Sequence, residues 1–334
     1  MKSYSIFMGV DISKLTLDIV GINSENIIVN NSLEIDNNKK VIKRYFKGLS
    51  TKYPNDSFLV CFENTGLYGY YLAAVLYELQ IDYVVVPALE IHLSKGLVRG
   101  KSDKKDALMI ARYALSNQYK LKLSSLNNYD INKLKMLNNQ RDKLVKSISI
   151  FKQAYESKDF LPKELIKETL RINESILKNL KKNLTKLEAE IEKVIKANRD
   201  LKTNYDLVKS IPGIGTQTSI YLLIITNNFT AFTNARKLAC YAGVAPFPYQ
   251  SGTSINGRTK VHHFADKKLK SLINMCALNA KRYDAQISLY YEKKVTEGKN
   301  KMLVMNNVRN KLLHRVMAVI KRQTPYVNTY KFCA

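Results

Sequence analysis

Three observations on this 334-residue chain predict a fold of class α/β plus all-α, a mixed sheet with flanking helices followed by helices alone. Short apolar runs alternate with helix-length amphipathic stretches over residues 1–125. A seven-residue apolar repeat fills 126–200, and 201–334 reads as helices separated by Gly- and Pro-bearing turns. Those changes of pattern set three expected domains, 1–125, 126–200 and 201–334, a division that suits a chain of this length.

In the first segment, residues 6–10, 16–20 and 26–29 are expected strands, and Asp11-Ile-Ser-Lys14 between the first two suits a tight turn. Residues 39–49 read as a helix. Residues 58–62 are continuously apolar, as a strand buried on both faces must be. A helix over 68–79, a strand over 83–86 and a helix over 103–115 complete the alternation. A β-meander followed by βαβ units gives a mixed sheet covered by helices, an arrangement compatible with a ribonuclease-H-like core.

From Leu134 the period changes. Leu134, Leu137, Arg141, Leu144, Ile148, Phe151 and Tyr155 alternate by three and four residues, as do Leu180, Leu184, Leu187, Ile191 and Val194. Two long coiled-coil helices are expected, parted between Lys158 and Pro162, where a proline breaks helical continuity. They form an antiparallel hairpin, pair with a second subunit, or act as a plain spacer, because a heptad pattern does not identify what fills the seam.

The third segment opens with Ile211-Pro-Gly-Ile-Gly215 between two helical stretches. Gly213 and Gly215 either present backbone N–H groups to a DNA phosphate, in the manner of a helix-hairpin-helix element, or only permit a sharp turn between packed helices. Helices are expected over 235–241, 267–283 and 304–321, around a loop from Pro246 to Arg258 rich in Gly, Ser and Pro.

The formal charge of +26 is unevenly spread: 16 basic and 12 acidic residues in 1–125, 17 and 11 in 126–200, and 21 and 5 in 201–334. Uniform lysine enrichment would not strip acids from one segment. The last segment is therefore expected to face nucleic acid, with Arg258, Lys260, Lys267, Lys268 and Lys270 as candidate phosphate contacts. Cys61, Cys240, Cys276 and Cys333 have neither zinc-ligand nor disulfide-scaffold spacing, which fits a reducing cytoplasm. The most apolar run, 220–225, is too short to span a bilayer, and no signal-peptide core opens the chain; a soluble protein with no membrane partner is expected.

Candidate chemistry lies in four acids of the first segment. Asp11 ends the first strand, with Gly9 allowing close approach, and Glu63 ends the 58–62 run before Asn64-Thr-Gly66. Asp103 and Asp106 lie three apart, on one face of their helix. Taken singly, each acid fits a turn or a helix cap; converging, they would repel unless hard divalent cations such as Mg²⁺ or Mn²⁺ joined them, and such a site handles phosphodiester oxygens. Far downstream, Ser251 sits in a Gly-bounded loop. Composition leaves it open against Ser254, against Tyr249 and against a plain turn residue.

With these residues in view, the chain resembles the DEDD transposases of bacterial insertion sequences, the insertion-sequence-110 family, described as RNA-guided recombinases. The likeness rests on Gly-Val-Asp11-Ile-Ser-Lys, Glu63-Asn-Thr-Gly66, Lys-Ser-Asp103-Lys-Lys-Asp106-Ala, Ile-Pro-Gly-Ile-Gly215 and Tyr-Ala-Gly-Val-Ala-Pro246, in that order along nearly the whole chain. It implies a RuvC-like domain, a coiled coil and a helical transposase domain. It also implies Asp11, Glu63, Asp103 and Asp106 as the metal-binding set and the serine of Gln250-Ser251-Gly252 as nucleophile. Donor and target DNA, an element-encoded guide RNA, a homo-oligomer (dimer or tetramer) and a bacterial cytoplasm follow from the same likeness. The chain departs from the family's pattern at Asn256-Gly-Arg-Thr-Lys-Val-His-His-Phe-Ala265, where His262 and His263 replace part of a basic turn.

Three functions fit these readings: a recombinase that joins DNA through a serine intermediate, a metal-dependent junction nuclease in which water attacks, and a non-catalytic nucleic-acid scaffold. A covalent protein–DNA adduct separates the first from the second. Loss of turnover without loss of binding in Asp11→Asn separates both from the third.

Overall fold

The structure, a computed structural model, describes residues 3–94, 103–124, 129–153, 160–251, 255–261 and 265–328. Two compact units comprise Met1–Asn127 and Asn128–Ala334.

The first unit is built on a five-stranded mixed sheet of order β3-β2-β1-β4-β5. Strands β1 (Ile6–Ile12), β2 (Thr16–Asn23) and β3 (Ile28–Asp36) form an antiparallel meander, and β4 (Phe58–Glu63) and β5 (Asp82–Val86) add in parallel. The third strand starts later than its apolar run suggests. The Asn23 side chain accepts from the Glu25 and Ile27 N–H groups, and Asn26 adopts φ 63°, so these residues make the turn instead.

Side-chain alternation divides the strands between two cores. Met8, Val10, Val60 and Phe62 pack under α1 (Lys39–Lys52) and α2 (Tyr70–Glu78), through Phe46 and Leu72 among others. Phe7, Leu59 and Cys61 face the opposite way, toward Ile91 of α3 (Ala88–Ser94) and Ile110 and Ala111 of α4 (Asp103–Asn117). Full burial of each large apolar side chain contributes about 1.5–3 kcal/mol. Periodicity did not predict α3, whose seven residues are too few for a 3.6-residue period to register.

Gly9 seats α4 on the sheet. A Cβ there would stand 2.1 Å from the Ala107 carbonyl oxygen and 2.3 Å from the Ala111 nitrogen, so helix backbone occupies the place of a side chain. The helix runs antiparallel to β1. Arg112 donates to Asn26 in the β2–β3 turn at 3.1 Å, beside the start of β1, which leaves the first turn of α4 at the strand's carboxyl end.

The second unit begins with α5 (Tyr129–Gln153) and α6 (Lys163–Ala197), which pack antiparallel. Ile131 and Leu134 meet Ile191, Val194 and Ile195, and about two turns further along α5 Arg141 donates to Glu188 at 2.8 Å. Leu201 of α7 (Arg199–Lys209) and Ile220 of α8 (Thr216–Ile225) join the same core, so the long helices rest on those that follow.

Next come α9 (Ala235–Tyr241), α10 (Lys267–Tyr283), α11 (Ala285–Thr296) and α12 (Lys301–Arg322), packed about Leu238, Ile273, Leu312 and Val316. Asn234, Asp266, Asp284 and Asn300 cap α9 to α12 with side-chain oxygens, which fixes where each begins. The all-α expectation needs correction here. The stretch read as a loop from Pro246 holds an antiparallel ribbon, β6 (Pro246–Ser251) and β7 (Ile255–Val261), paired from Pro246↔Val261 to Ser251↔Ile255. Phe247, Tyr249, Thr259 and Val261 are strand formers that the flanking Gly and Pro residues concealed. Among the described residues, no helix is long and apolar enough to cross a membrane.

Candidate active site and nucleic-acid interface

The parallel register of β1 and β4 runs from Ile6↔Phe58 to Val10↔Phe62, so the next residues, Asp11, one short of the end of β1, and Glu63, the last of β4, follow side by side on neighbouring strands. Alternation puts both on the face covered by α4. A third acid joins them. Asp18 of β2 is the Cα partner of Asp11, and directly opposed residues of an antiparallel pair share a face. Asp18 is only 7% exposed. Sequence reasoning passed it over; the available signal was an acid among Leu17, Ile19, Val20 and Ile22 in an otherwise buried strand.

Asp103 opens α4, although its side chain lies outside the described residues, and Asp106 immediately precedes Ala107, the residue that touches Gly9. The partial positive charge of a helix start favours acids there. The sheet therefore brings Asp11, Asp18, Glu63 and the acidic first turn of α4 to one end and one face. Asp11, Asp18 and Asp106 each already have a polar interaction within the fold. Among the described residues, no three Asp, Glu, His or Cys side chains stand close enough together to hold an ion. The donor set, carboxylate oxygens alone, suits a hard divalent cation in type.

In the second unit, the backbone of Ser251 ends β6 at the turn of the ribbon, where Gln250 donates to Asn256 at 3.1 Å. The side chains of Tyr249, Ser251, Arg258 and Lys260, and the whole of Ser254, His262 and His263, lie outside the described residues. Lys267 is exposed in the first turn of α10 and Lys270 is partly so. Lys268 turns inward instead. It pairs with Asp142 of α5, and its Nζ lies 4.5 Å from the centre of the Tyr221 ring, so its charge is met within the fold. Beside it the Tyr221 hydroxyl donates to Asp266 at 2.8 Å; burial first, and then this bond, push that hydroxyl well above its ordinary pKa.

The two glycines of the α7–α8 turn differ. Gly213, at φ +90°, lies where a Cβ would stand 2.7 Å from the Cys276 carbonyl oxygen, which gives it a packing role against α10. Gly215 precedes α8 without supplying a side-chain cap, and a Cβ there would meet nothing. A groove of about 680 Å³ lies beside this helix start, lined by Lys202, Tyr205, Lys209, Thr216 and Gln217 among others.

Two family models match the chain: that of the DEDD transposases of IS110 type, described as a transposase, over residues 8–158, and one described as the transposase IS116/IS110/IS902 family over 205–292. The pilin gene-inverting proteins of Moraxella lacunata and Moraxella bovis are each 28% identical to it over 334 residues, spanning 96% of this chain and 97% of the relative. An uncharacterized 43.6 kDa protein of insertion element IS110 from Streptomyces coelicolor is 28% identical over 140 residues, covering 42% of this chain and 33% of that protein.

Proposed function

The chain belongs to the DEDD transposases of the IS110 family and is a DNA transposase or recombinase; from that premise we propose a division of labour between its two units. Asp11, Glu63, Asp103 and Asp106 form the metal-binding set, and Ser251 is the nucleophile. The observation that carries this reading is the β1–β4 register, which sets two acids on neighbouring strands near their carboxyl ends, on the face of a helix that starts with two more. Asp18, paired with Asp11, keeps the strand ends acidic from below.

When bound, Mg²⁺ or Mn²⁺ supplies Lewis-acid neutralisation of the scissile phosphate's charge. The protein's own part is positional. Hard oxygen donors held at strand ends face the phosphate, and basic residues near the ribbon, including Lys267 and Lys270, neutralise the flanking backbone; affinity then falls steeply with added salt. Ser251 Oγ forms a bond to phosphorus as its proton passes to a base, and one DNA oxygen leaves and takes up a proton. A hydroxyl of the second DNA end then attacks the seryl phosphodiester and restores the serine. One phosphodiester breaks and one forms in each step, so no external energy source is required.

The names of the Moraxella relatives denote gene inversion, a rejoining reaction, which supports a covalent intermediate over simple hydrolysis. The same family reading adds an element-encoded guide RNA and a homo-oligomer whose subunits pair through α5 and α6. Denaturing electrophoresis of the protein incubated with labelled element-end DNA and Mg²⁺ tests the serine role. Wild type should yield a covalent adduct and Ser251→Ala none; an undiminished adduct in Ser251→Ala moves the role to Ser254 or Tyr249, and cleavage without any adduct favours the water-attack nuclease.

A further inference from the structure

A group of exposed apolar side chains follows the ends of β1 and β4 in the first unit. Leu15 and Leu67 are 73% and 69% exposed, and Tyr68, Tyr70 and Tyr71 are 41–49% exposed. Leu15 lies in the β1–β2 turn, Leu67 and Tyr68 in the link from β4 to α2, and Tyr70 and Tyr71 in the first turn of α2, the segments that follow the strands carrying Asp11 and Glu63. Single exposed apolar residues are ordinary on protein surfaces, but five on one rim beside a site are not.

The rim is rigid where it matters. Asn37 donates its backbone N–H to the Leu15 carbonyl at 2.7 Å, and its side-chain amide donates to the carbonyls of Ser13 at 3.1 Å and Tyr68 at 3.0 Å. One residue thus clamps both loops together and leaves their side chains facing outward. Tyr70 and Tyr71 meet edge to face, with ring centres 6.2 Å apart. Two polar atoms buried at this junction, Asn37 Oδ1 and Thr65 Oγ1, have no hydrogen-bond partner, so the loops are not polar-saturated as they stand.

The charge around the rim selects its occupant. Lys14 stands in the first loop, and Lys39, Lys40 and Lys43 line the start of α1; residues 13–15, 37–43 and 64–71 contain no acid. Glu78, which pairs with Lys39 and Lys43, is the acid these lysines meet. Asp36, Asp11 and Glu63 border these segments, so the rim's own positive charge is that of the exposed Lys14 and Lys40; aromatic rings beside such cations suit a ligand with flat apolar faces on an anionic backbone. Duplex DNA hides its base faces in the stack. Unpaired nucleotides expose them.

We propose that Tyr68, Tyr70, Tyr71 and Leu67 form a stacking platform for unpaired DNA nucleotides that flank the scissile phosphate, on the α1–α2 side of the sheet's end. The proposal rests on the functional reading above, which brings a DNA strand to this end of the sheet. Stacking there holds the strand open across the ends of β1 and β4 from the carboxylates, which lie on the α4 face, and costs no sequence specificity, because every base has a flat face.

Fluorescence anisotropy of the full chain with labelled oligothymidylate, a duplex of equal length and oligouridylate, without added divalent cation, tests it. Tyr68→Ala and Tyr71→Ala are each expected to weaken oligothymidylate binding about five- to hundredfold and to leave duplex binding unchanged, with Tyr68→Phe and Tyr68→Trp restoring affinity. Equal loss for duplex and single strand, or no recovery with Phe and Trp, overturns the platform. So does a loss confined to oligouridylate, or a change of oligomeric state with oligothymidylate affinity intact, which makes the rim an RNA site or a contact between copies. Cleavage by Asp11→Asn is measured alongside. If that variant is inactive while the tyrosine variants bind normally, the platform falls and the functional reading stands; if it cleaves like wild type while ring-dependent binding persists, the reverse holds.

Discussion

The carboxylate edge and the serine ribbon rest on opposite kinds of scaffold. Asp11 and Glu63 stand near the carboxyl ends of adjacent parallel strands in the middle of a five-stranded sheet with helices on both faces, so their backbone positions are fixed by two cores. Ser251 ends one strand of an isolated two-stranded ribbon, an arrangement that is marginal in water without further packing. The difference teaches that the backbone under Asp11 and Glu63 is held by packing on both faces, whereas the Ser251 backbone is held by the pairing of two strands.

The largest effect should come from the rigid side. Asp11→Asn keeps shape but removes charge, and is expected to lower Mg²⁺-dependent strand cleavage by about a thousandfold or more while DNA affinity stays within about twofold. Equal loss of both in filter-binding and cleavage assays would make Asp11 a folding residue and erase the contrast. Gly9→Ala should follow. Its Cβ has no room against the α4 backbone, so the variant is expected to lose about 3 kcal/mol, read as faster hydrogen exchange in α4, and to lose cleavage with it. Gly213→Ala should cost a similar amount but expose the α10 amides and spare α4.

Smaller effects sharpen the picture within each unit. Leu134→Ala empties a fully buried position between α5 and α6 and should cost about 2–4 kcal/mol in urea unfolding, against about 0–1 kcal/mol for Glu188→Gln in the half-exposed Arg141 pair. The reverse order would mean that charge, not the apolar seam, holds the hairpin. Smallest is the acid response of Glu78. Hydrogen bonds from Lys39 and Lys43 hold its carboxyl down at about 2, below the ordinary 4.5. Their contribution is complete above about 4.5 and is lost as the pH falls through about 2; a side-chain NMR titration midpoint near 4.5 would remove this tie between α1 and α2.

Legibility in the sequence followed the same contrast. Strand runs such as 58–62 and the heptads at Leu134 and Ile191 were readable because burial leaves a period in the residues. So was the place of Glu63 at the end of its strand, whereas β1 runs through Asp11 to Ile12, beyond the expected 6–10. Asp18 was not, because nothing in the local pattern reveals that β2 lies beside β1 with these two acids opposed. The ribbon was missed because Pro and Gly at its margins outweigh the strand propensity of so short a run. The inward turn of Lys268 was equally hidden: its partner, Asp142, is 126 residues away.

The parallel union of β1 with β4 carries a consequence for biosynthesis. Between residue 11 and the close of α4 at Asn117, the ribosome must deliver the meander, two crossovers and the covering helix before the acids share one edge. A nascent chain halted earlier, or a fragment from a prematurely stopped message, carries Asp11 and Glu63 but not the helix that brings the other two acids. Such fragments lack the helix backbone that fills the place of a Gly9 side chain, so one face of the sheet is left without its cover.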